Sequence, residues 1–282
     1  MLPERAVRWA EEELGASLIS ASPMTGGLTS SCHRLELSDG GVAVLRRWTS
    51  HKRQDVAEFS PAREATALAS LRGTTCPVPQ VLGRDDHGIR CDVPALILTC
   101  MPGSQPKMKE LASLDLLVLA TVLAKVHEVA APPELPAFAP WCWRHPLGVP
   151  IGSQAKDAWR RIIEAVPGSS AEEQQAGAAL LHGDFHAGNT LWSRSGLSAV
   201  LDWPAASRGN PLADVARMAG FLDVLLPDAG RRFAQAYASL TGRVLTPWWE
   251  AREVLDRLPE DPEDPLDLGM FDRHVRDVAM RL

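Results

Sequence analysis

Apolar positions recur along the chain with two different periods, and the change from one to the other divides it. Residues 4–14 set Val7, Ala10 and Leu14 on one side of a helical wheel and Glu11, Glu12 and Glu13 mostly on the other, which predicts an opening amphipathic helix. The next stretch breaks into three strands, Leu18–Ser20, Cys32–Leu37 and Val42–Arg47. Gly26-Gly27 and Asp39-Gly40-Gly41 separate them, where glycine supplies the positive φ of a tight turn. Helical spacing returns in PAREATALASLRG, with Pro61 near its start and Gly73 after its end, and Val93–Thr99 is an unbroken apolar run of the kind a buried strand shows. Beyond Met101-Pro102-Gly103 helical periodicity takes over, first in the apolar helix Leu114–Val129 and then over 154–166, 171–181, 211–226, 229–241 and 269–281. Six prolines between 132 and 150 exclude a helix there, which leaves a long loop of either functional or disordered character. The pattern is α+β: an N-terminal antiparallel-sheet lobe over 1–101 with a hinge at its end, a larger helical C-terminal lobe over 102–282, and a cleft between them.

Composition narrows the class. The 282 residues suffice for two lobes, and 45% hydrophobic with 23% charged residues is a globular balance. A net charge of −6 lacks the basic excess of a nucleic-acid binder; it suits a cationic small molecule or, equally, ordinary solubility. The five cysteines, at 32, 76, 91, 100 and 142, form no C-x-x-C pair, so neither a zinc ribbon nor a disulfide framework is expected, and a reducing cytoplasm fits them. The charged amino terminus has no signal-peptide core. The longest apolar stretch, Leu116 to Ala124, is too short for a bilayer, so no membrane partner is expected. Absence of any Gly-Lys dipeptide excludes a Walker-type nucleotide loop, and absence of G-x-S-x-G argues against a serine hydrolase.

The chemistry concentrates in residues 180–206. Asp184 precedes Asn189 by five positions, and Asp202 follows thirteen positions later, at the end of the apolar Ala199-Val200-Leu201. Phosphoryl transfer needs such groups: one carboxylate to accept or orient the proton of an attacking hydroxyl, and amide and carboxylate oxygens to hold a hard divalent cation against phosphates. A hairpin of 191–193 with 198–201 would return Asp202 to the neighbourhood of Asn189. Taken alone, His182, Asp184 and His186 also form H-x-D-x-H, whose other reading is a metal cluster.

In order along the chain, H-G-D-F-H-x-G-N at 182–189, L-D-W at 201–203 and G-N-P-x-x-D at 209–214 resemble the aminoglycoside phosphotransferase family, relatives of the choline kinases and, more remotely, of protein kinases. The resemblance implies a bilobal kinase-like fold, ATP or GTP with Mg²⁺, and transfer of the γ-phosphoryl group to a hydroxyl of a small acceptor, cationic or neutral. By position, Asp184 corresponds to the catalytic base, Asn189 and Asp202 to metal ligands, His182 and His186 to loop braces, and Asp214 to a structural helix-start residue. Gly26, Gly27, Ser30 and Ser31 fall where the family carries its nucleotide loop. Kinases place a phosphate-clamping Lys on the third strand; here none of the five lysines lies on Val42–Arg47, and Arg46, ahead of the alternative Arg47 that strand alternation turns to the opposite face, looks like the family's equivalent. Glu64 would be the partner of Arg46, and Thr99, Cys100 and Met101 would meet the adenine through their backbone. Pro204 stands where many relatives carry an acid.

Acceptor recognition is less legible. Glu260, Asp261, Glu263, Asp264 and Asp267 either attract a polyamine sugar or form a solvated loop. Trp141, Trp143, Trp159, Trp248 and Trp249 either line a sugar or macrocycle site or belong to the core. The loop 132–150 is the expected acceptor-side lid. A metabolite kinase acting on choline, homoserine or a sugar, and a nucleotide-binding pseudokinase, are the rival readings. Oligomeric state is not legible.

Overall fold

A computed structural model of the chain describes residues 2–24, 30–49, 60–140, 147–166, 179–257 and 268–282. Gly26, Gly27, Trp141, Trp143 and the acidic positions from 260 to 267 lie outside the described residues. The chain forms two compact units, Met1–Ser104 with Thr190–Ala206, and Gln105–Asn189 with Ser207–Leu282.

The first unit opens with α1 (Glu4–Leu14), whose end is fixed by Gly15 at φ 67, its N–H donating to the Glu11 carbonyl at 2.8 Å. A five-stranded antiparallel sheet follows, with order β1-β2-β3-β5-β4: β1 (Leu18–Met24), β2 (Ser31–Leu37), β3 (Val42–Arg47), β4 (Val81–Asp85) and β5 (Ala95–Thr99). Ala6, Trp9 and Ala10 of α1 pack on Leu35, Ala43, Leu45, Ala95 and Ile97. Burial of Leu35, Leu45 and Ile97 in this core stabilises by about 1.5–3 kcal/mol each. Helix α2 (Pro61–Ser70) begins where the Ser60 hydroxyl accepts from the Arg63 N–H at 3.2 Å, with Pro61 in the first turn.

Strands β7 (Thr190–Ser193) and β8 (Gly196–Val200) form an antiparallel hairpin in register Thr190↔Val200. A boundary at 101 places this hairpin with the helical part; the structure groups it with the sheet unit. The reason is backbone pairing: Ser104 and Trp192 exchange two hydrogen bonds of 3.0 and 2.9 Å, the Val200 N–H donates to the Pro77 carbonyl at 2.8 Å, and the Ser198 hydroxyl donates to the Pro102 carbonyl at 2.6 Å.

The second unit is mainly helical. Its helices are α3 (Leu116–His127), α4 (Lys156–Ala165), α5 (Leu212–Leu225), α6 (Ala229–Thr241), α7 (Pro247–Asp256) and α8 (Leu268–Arg281). The Asp115 carboxylate caps α3 by accepting from Leu117 and Val118 N–H at 3.0 and 3.1 Å. Trp159 and Ile162 of α4, Ala251, Val254 and Leu255 of α7, and Phe271, Val275 and Val278 of α8 form one core. Trp249 is buried as well, and Trp248 packs against this core, so these three tryptophans are packing residues. The expected helix over 171–181 does not run to its end: Ala179–Leu181 is strand β6, paired antiparallel with β9 (Ser207–Gly209). Leu180 and Leu181 are fully buried, and a partner distant in sequence takes their backbone groups. Residues 167–178 lie outside the described set. Described residues 132–140 carry no helix, as their prolines dictate. Among the described residues no helix is long and apolar enough to cross a membrane.

Candidate active site

In the first unit the groups gather around β3. Strand alternation sends Arg46 and Arg47 to opposite faces, as expected. Arg47 lies on the face of Ala43 and Leu45 and pairs with Asp92 at 2.5 Å. Arg46 is buried with all three of its nitrogens engaged. Its Nε donates to the Ser30 hydroxyl at 3.0 Å, Nη1 to Glu64 Oε1 at 2.9 Å and Nη2 to Asp202 Oδ1 at 2.6 Å, with the guanidinium 4.9 Å from the Trp48 ring centre. Burial alone would lower Arg46, but Glu64 and Asp202 raise it above the ordinary arginine range. Burial outweighs Arg46 at Glu64 and, with Asp202, pushes its carboxyl up. Glu64 Oε1 also accepts from the Trp203 N–H at 3.4 Å, while its Oε2 is buried without a partner.

Asp202 follows the hairpin at φ 69, a left-handed conformation that aspartate tolerates better than most residues. Arg63 holds the turn beyond it by donating to the carbonyls of Ala205 (2.8 Å) and Ala206. Pro204 is buried in that turn and supplies no acid. Ser31 opens β2 opposite Arg47, with its hydroxyl buried and unpartnered. Thr99 ends β5 opposite Ala43, its hydroxyl accepting from the Gln80 N–H at 2.9 Å; Cys100 and Met101 follow beyond that last ladder pair. The Cys100 sulfur accepts from Arg34 at 3.1 Å.

In the second unit the loop 182–189 is pinned from beneath. Asp214 does not cap its own helix. It lies inside the first turn of α5, and its carboxylate accepts from the His182 N–H at 2.7 Å and the Gly183 N–H at 2.8 Å. His127 hydrogen-bonds the same carboxylate at 3.1 Å and, through its other ring nitrogen, the Tyr237 hydroxyl at 2.7 Å. His182 Nδ1 accepts from the Asp184 N–H at 3.2 Å, and His186 Nδ1 from the Gly188 N–H at 3.1 Å, so both histidines brace the loop. Asn189 donates through Nδ2 to the Asp184 carbonyl at 3.0 Å and to Asp184 Oδ2 at 3.3 Å. Its amide nitrogen is thereby fixed and its carbonyl oxygen is left to other partners. No cluster of three or more His, Cys, Asp or Glu groups suited to a metal occurs among the described residues.

Three residues that sequence reasoning missed complete this cluster. Arg217 on α5 holds Asp184 Oδ1 through Nε at 2.9 Å and Nη2 at 2.7 Å, and donates through Nη1 to Glu253 Oε1 on α7 at 3.1 Å. Arg257 donates to the same Glu253 oxygen at 2.9 Å. Burial works to raise the Asp184 carboxyl, but Arg217, with His186 and His182, overrides it and holds the group well below the usual carboxylate range. Glu253 is lowered likewise: burial opposes, and Arg217 and Arg257 prevail. Asp184 is nonetheless 33% exposed, so a fixed, ionised carboxylate faces solvent. The Glu253/Arg257 spacing of four was visible in the sequence, but it reads the same on a solvated helix face.

Each unit carries an oxygen donor of the kind a hard cation takes: the Asp202 carboxylate, 39% exposed, in the first and the side-chain amide of Asn189 in the second. Carboxylate and amide oxygens are the donor types that suit a hard divalent cation.

Solved structures resemble the whole chain. A thermostable mutant of aminoglycoside phosphotransferase APH(4)-Ia, crystallised as a ternary complex with ADP and hygromycin B, superposes with a TM-score of 0.63 at 16% identity, covering 98% of each chain. Macrolide 2'-phosphotransferase MphH from Brachybacterium faecium, an apoenzyme, has a TM-score of 0.60 at 22% identity, covering 88% of this chain and 86% of that one. At such identities the likeness establishes a kinase-like α+β fold of the aminoglycoside phosphotransferase type. No curated protein sequence matches the chain. The family match, described as "Phosphotransferase enzyme family", spans residues 20–255, and the chain belongs to that family.

Proposed function

We propose that the protein transfers the γ-phosphoryl group of ATP or GTP to a hydroxyl of a small molecule of the aminoglycoside or macrolide kind. One observation carries the reading: a loop pinned through its backbone by Asp214 presents Asp184 ionised, gripped on Oδ1 by Arg217 and on Oδ2 by Asn189, and still open to solvent. Such a carboxylate orients an acceptor hydroxyl and receives its proton as the bond to phosphorus forms. Arg46, braced by buried Glu64, supplies the cation that clamps nucleotide phosphates, with Ser30 fixing its Nε. Asn189 and Asp202, the residues flanking the β7–β8 hairpin, would hold the divalent cation. When bound, that cation neutralises the charge developing on the transferred group. Backbone groups of Thr99, Cys100 and Met101 would receive the base, and the remaining catalysis is positioning and electrostatics.

The test is turnover of purified protein with Mg-ATP or Mg-GTP against a panel of aminoglycosides, macrolides and metabolite alcohols. At least one acceptor is expected to be phosphorylated. Asp184→Asn is expected to lower kcat by about 100-fold or more while nucleotide affinity is kept. Undiminished turnover by that variant defeats the assignment of Asp184.

A further inference from the structure

We propose that the Arg46–Asp202 ion pair makes the site selective for a nucleotide that carries its divalent cation, against the bare nucleotide. The inference rests on reading Arg46 as the phosphate clamp and Asp202 as a metal ligand, and it assigns the contact between them a role of its own.

The four groups involved, Ser30, Arg46, Glu64 and Asp202, all belong to the first unit. Arg46 has no uncommitted nitrogen, since Nε, Nη1 and Nη2 are held by Ser30, Glu64 and Asp202. Two of these partners are fixtures. The Ser30 hydroxyl is buried, and Glu64, with 2% of its side chain exposed, is anchored by the Trp203 N–H as well. Asp202 differs: its side chain is 39% exposed, and it is the partner that solvent or a ligand can reach. A phosphate seeking Arg46 must therefore displace the Asp202 carboxylate from Nη2.

The electrostatic outcome depends on what the phosphate brings. A bare nucleotide breaks a 2.6 Å ion pair and leaves Glu64, the displaced Asp202 and the phosphate around one guanidinium, a loss compounded by like-charge repulsion in a partly desolvated site. A nucleotide with a divalent cation offers Asp202 a new partner in the same event, so this carboxylate faces a cation before and after. Binding of the cation and of the phosphate are thus coupled through one exchangeable contact, and the coupling is reciprocal. Arginine at this position makes the device workable. Its planar fork fixes three partners at once, whereas the point charge of a lysine holds them without that geometry.

Calorimetric titration of ADP with Mg²⁺ and with a chelator tests this on wild type, Asp202→Ala, Arg46→Lys and the double variant. For wild type, Mg-ADP is expected to bind about tenfold or more tighter than ADP alone. The decisive expectation is that Asp202→Ala, which removes a metal ligand, tightens metal-free ADP by about tenfold and abolishes the preference for Mg²⁺. In the Arg46→Lys background that gain is expected to shrink to about threefold or less, because the released group is no longer a fixed fork. Metal-free affinity unchanged or weakened in Asp202→Ala overturns the proposal. So does a gain that persists at full size in the Arg46→Lys background, since it would then come from through-space repulsion alone. Asp202→Asn, which keeps the side-chain volume, carries the same expectations where the alanine variant loses its far-UV circular dichroism. Failure of wild type to bind either ADP or GDP with or without Mg²⁺ is a separate result, and it overturns the nucleotide reading itself.

Discussion

Glu253 is the most exacting place to test whether the buried charges around Asp184 form one unit. Its Oε1 accepts from Arg217 at 3.1 Å and from Arg257 at 2.9 Å, and only 4% of its side chain is exposed. Burial and the neighbouring Arg217 together already lower Arg257 from its ordinary range. Glu253→Ala removes the one anion between two largely buried cations. Arg217 keeps Asp184 as a partner, so the penalty falls mainly on Arg257. Breaking a buried pair on one side costs about 3–5 kcal/mol. The retained Asp184 contact and the 14% exposure of Arg257 bring the expected loss to about 2–4 kcal/mol. Urea denaturation followed by circular dichroism measures it, as a lowered midpoint at unchanged slope. Adding Arg257→Met to the Glu253→Ala variant should recover about half of the loss, because the orphaned cation leaves with its partner. A loss below about 1 kcal/mol for the single variant, or no recovery in the double, would refute the view that Glu253 acts by compensating two arginines.

Two other expectations concern the same unit. Burial, followed by Arg257 and Arg281, lowers His274 from 6.5 to about 4, so the unfolded chain takes up its proton first. That contribution to stability is complete above about pH 6.5 and falls away by about 3 kcal/mol as pH drops towards 4; denaturation midpoints between pH 7 and 5 should decline, and His274→Gln should flatten the slope. Gly230 opens α6 against α5, and a Cβ there would lie 2.1 Å from the Ala219 carbonyl oxygen and 2.7 Å from Asp223 Cγ. Gly230→Ala should therefore destabilise by about 2–4 kcal/mol despite alanine's better helix propensity, and a neutral effect on the urea midpoint would show that the two helices yield easily there.

Much of this architecture was legible because it is written in short-range periodicity. A period of two placed Arg46 and Arg47 on opposite faces of one strand, and the structure finds Glu64 with the first and Asp92 with the second. Helices α1, α2, α3, α5 and α6 announced themselves through apolar spacing and through Pro61 at the start of α2, and the loop 182–189 through the order of its residue types. What the chain did not disclose depends on partners distant in sequence. Strands β6 and β9 have three residues each, too few to carry a period, and exist because each satisfies the other's backbone. The hairpin's membership of the sheet unit follows from hydrogen bonds to Pro77, Pro102 and Ser104, which no local pattern encodes. Asp214 looked like a residue that starts a helix and proved to hold the loop of Asp184 instead. Arg217, Glu253 and Arg257 looked like ordinary helix charges. A charged residue's letters are the same in water and in a core; only the packing of α5 against α7 removes the water and turns those charges into the clamp on Asp184.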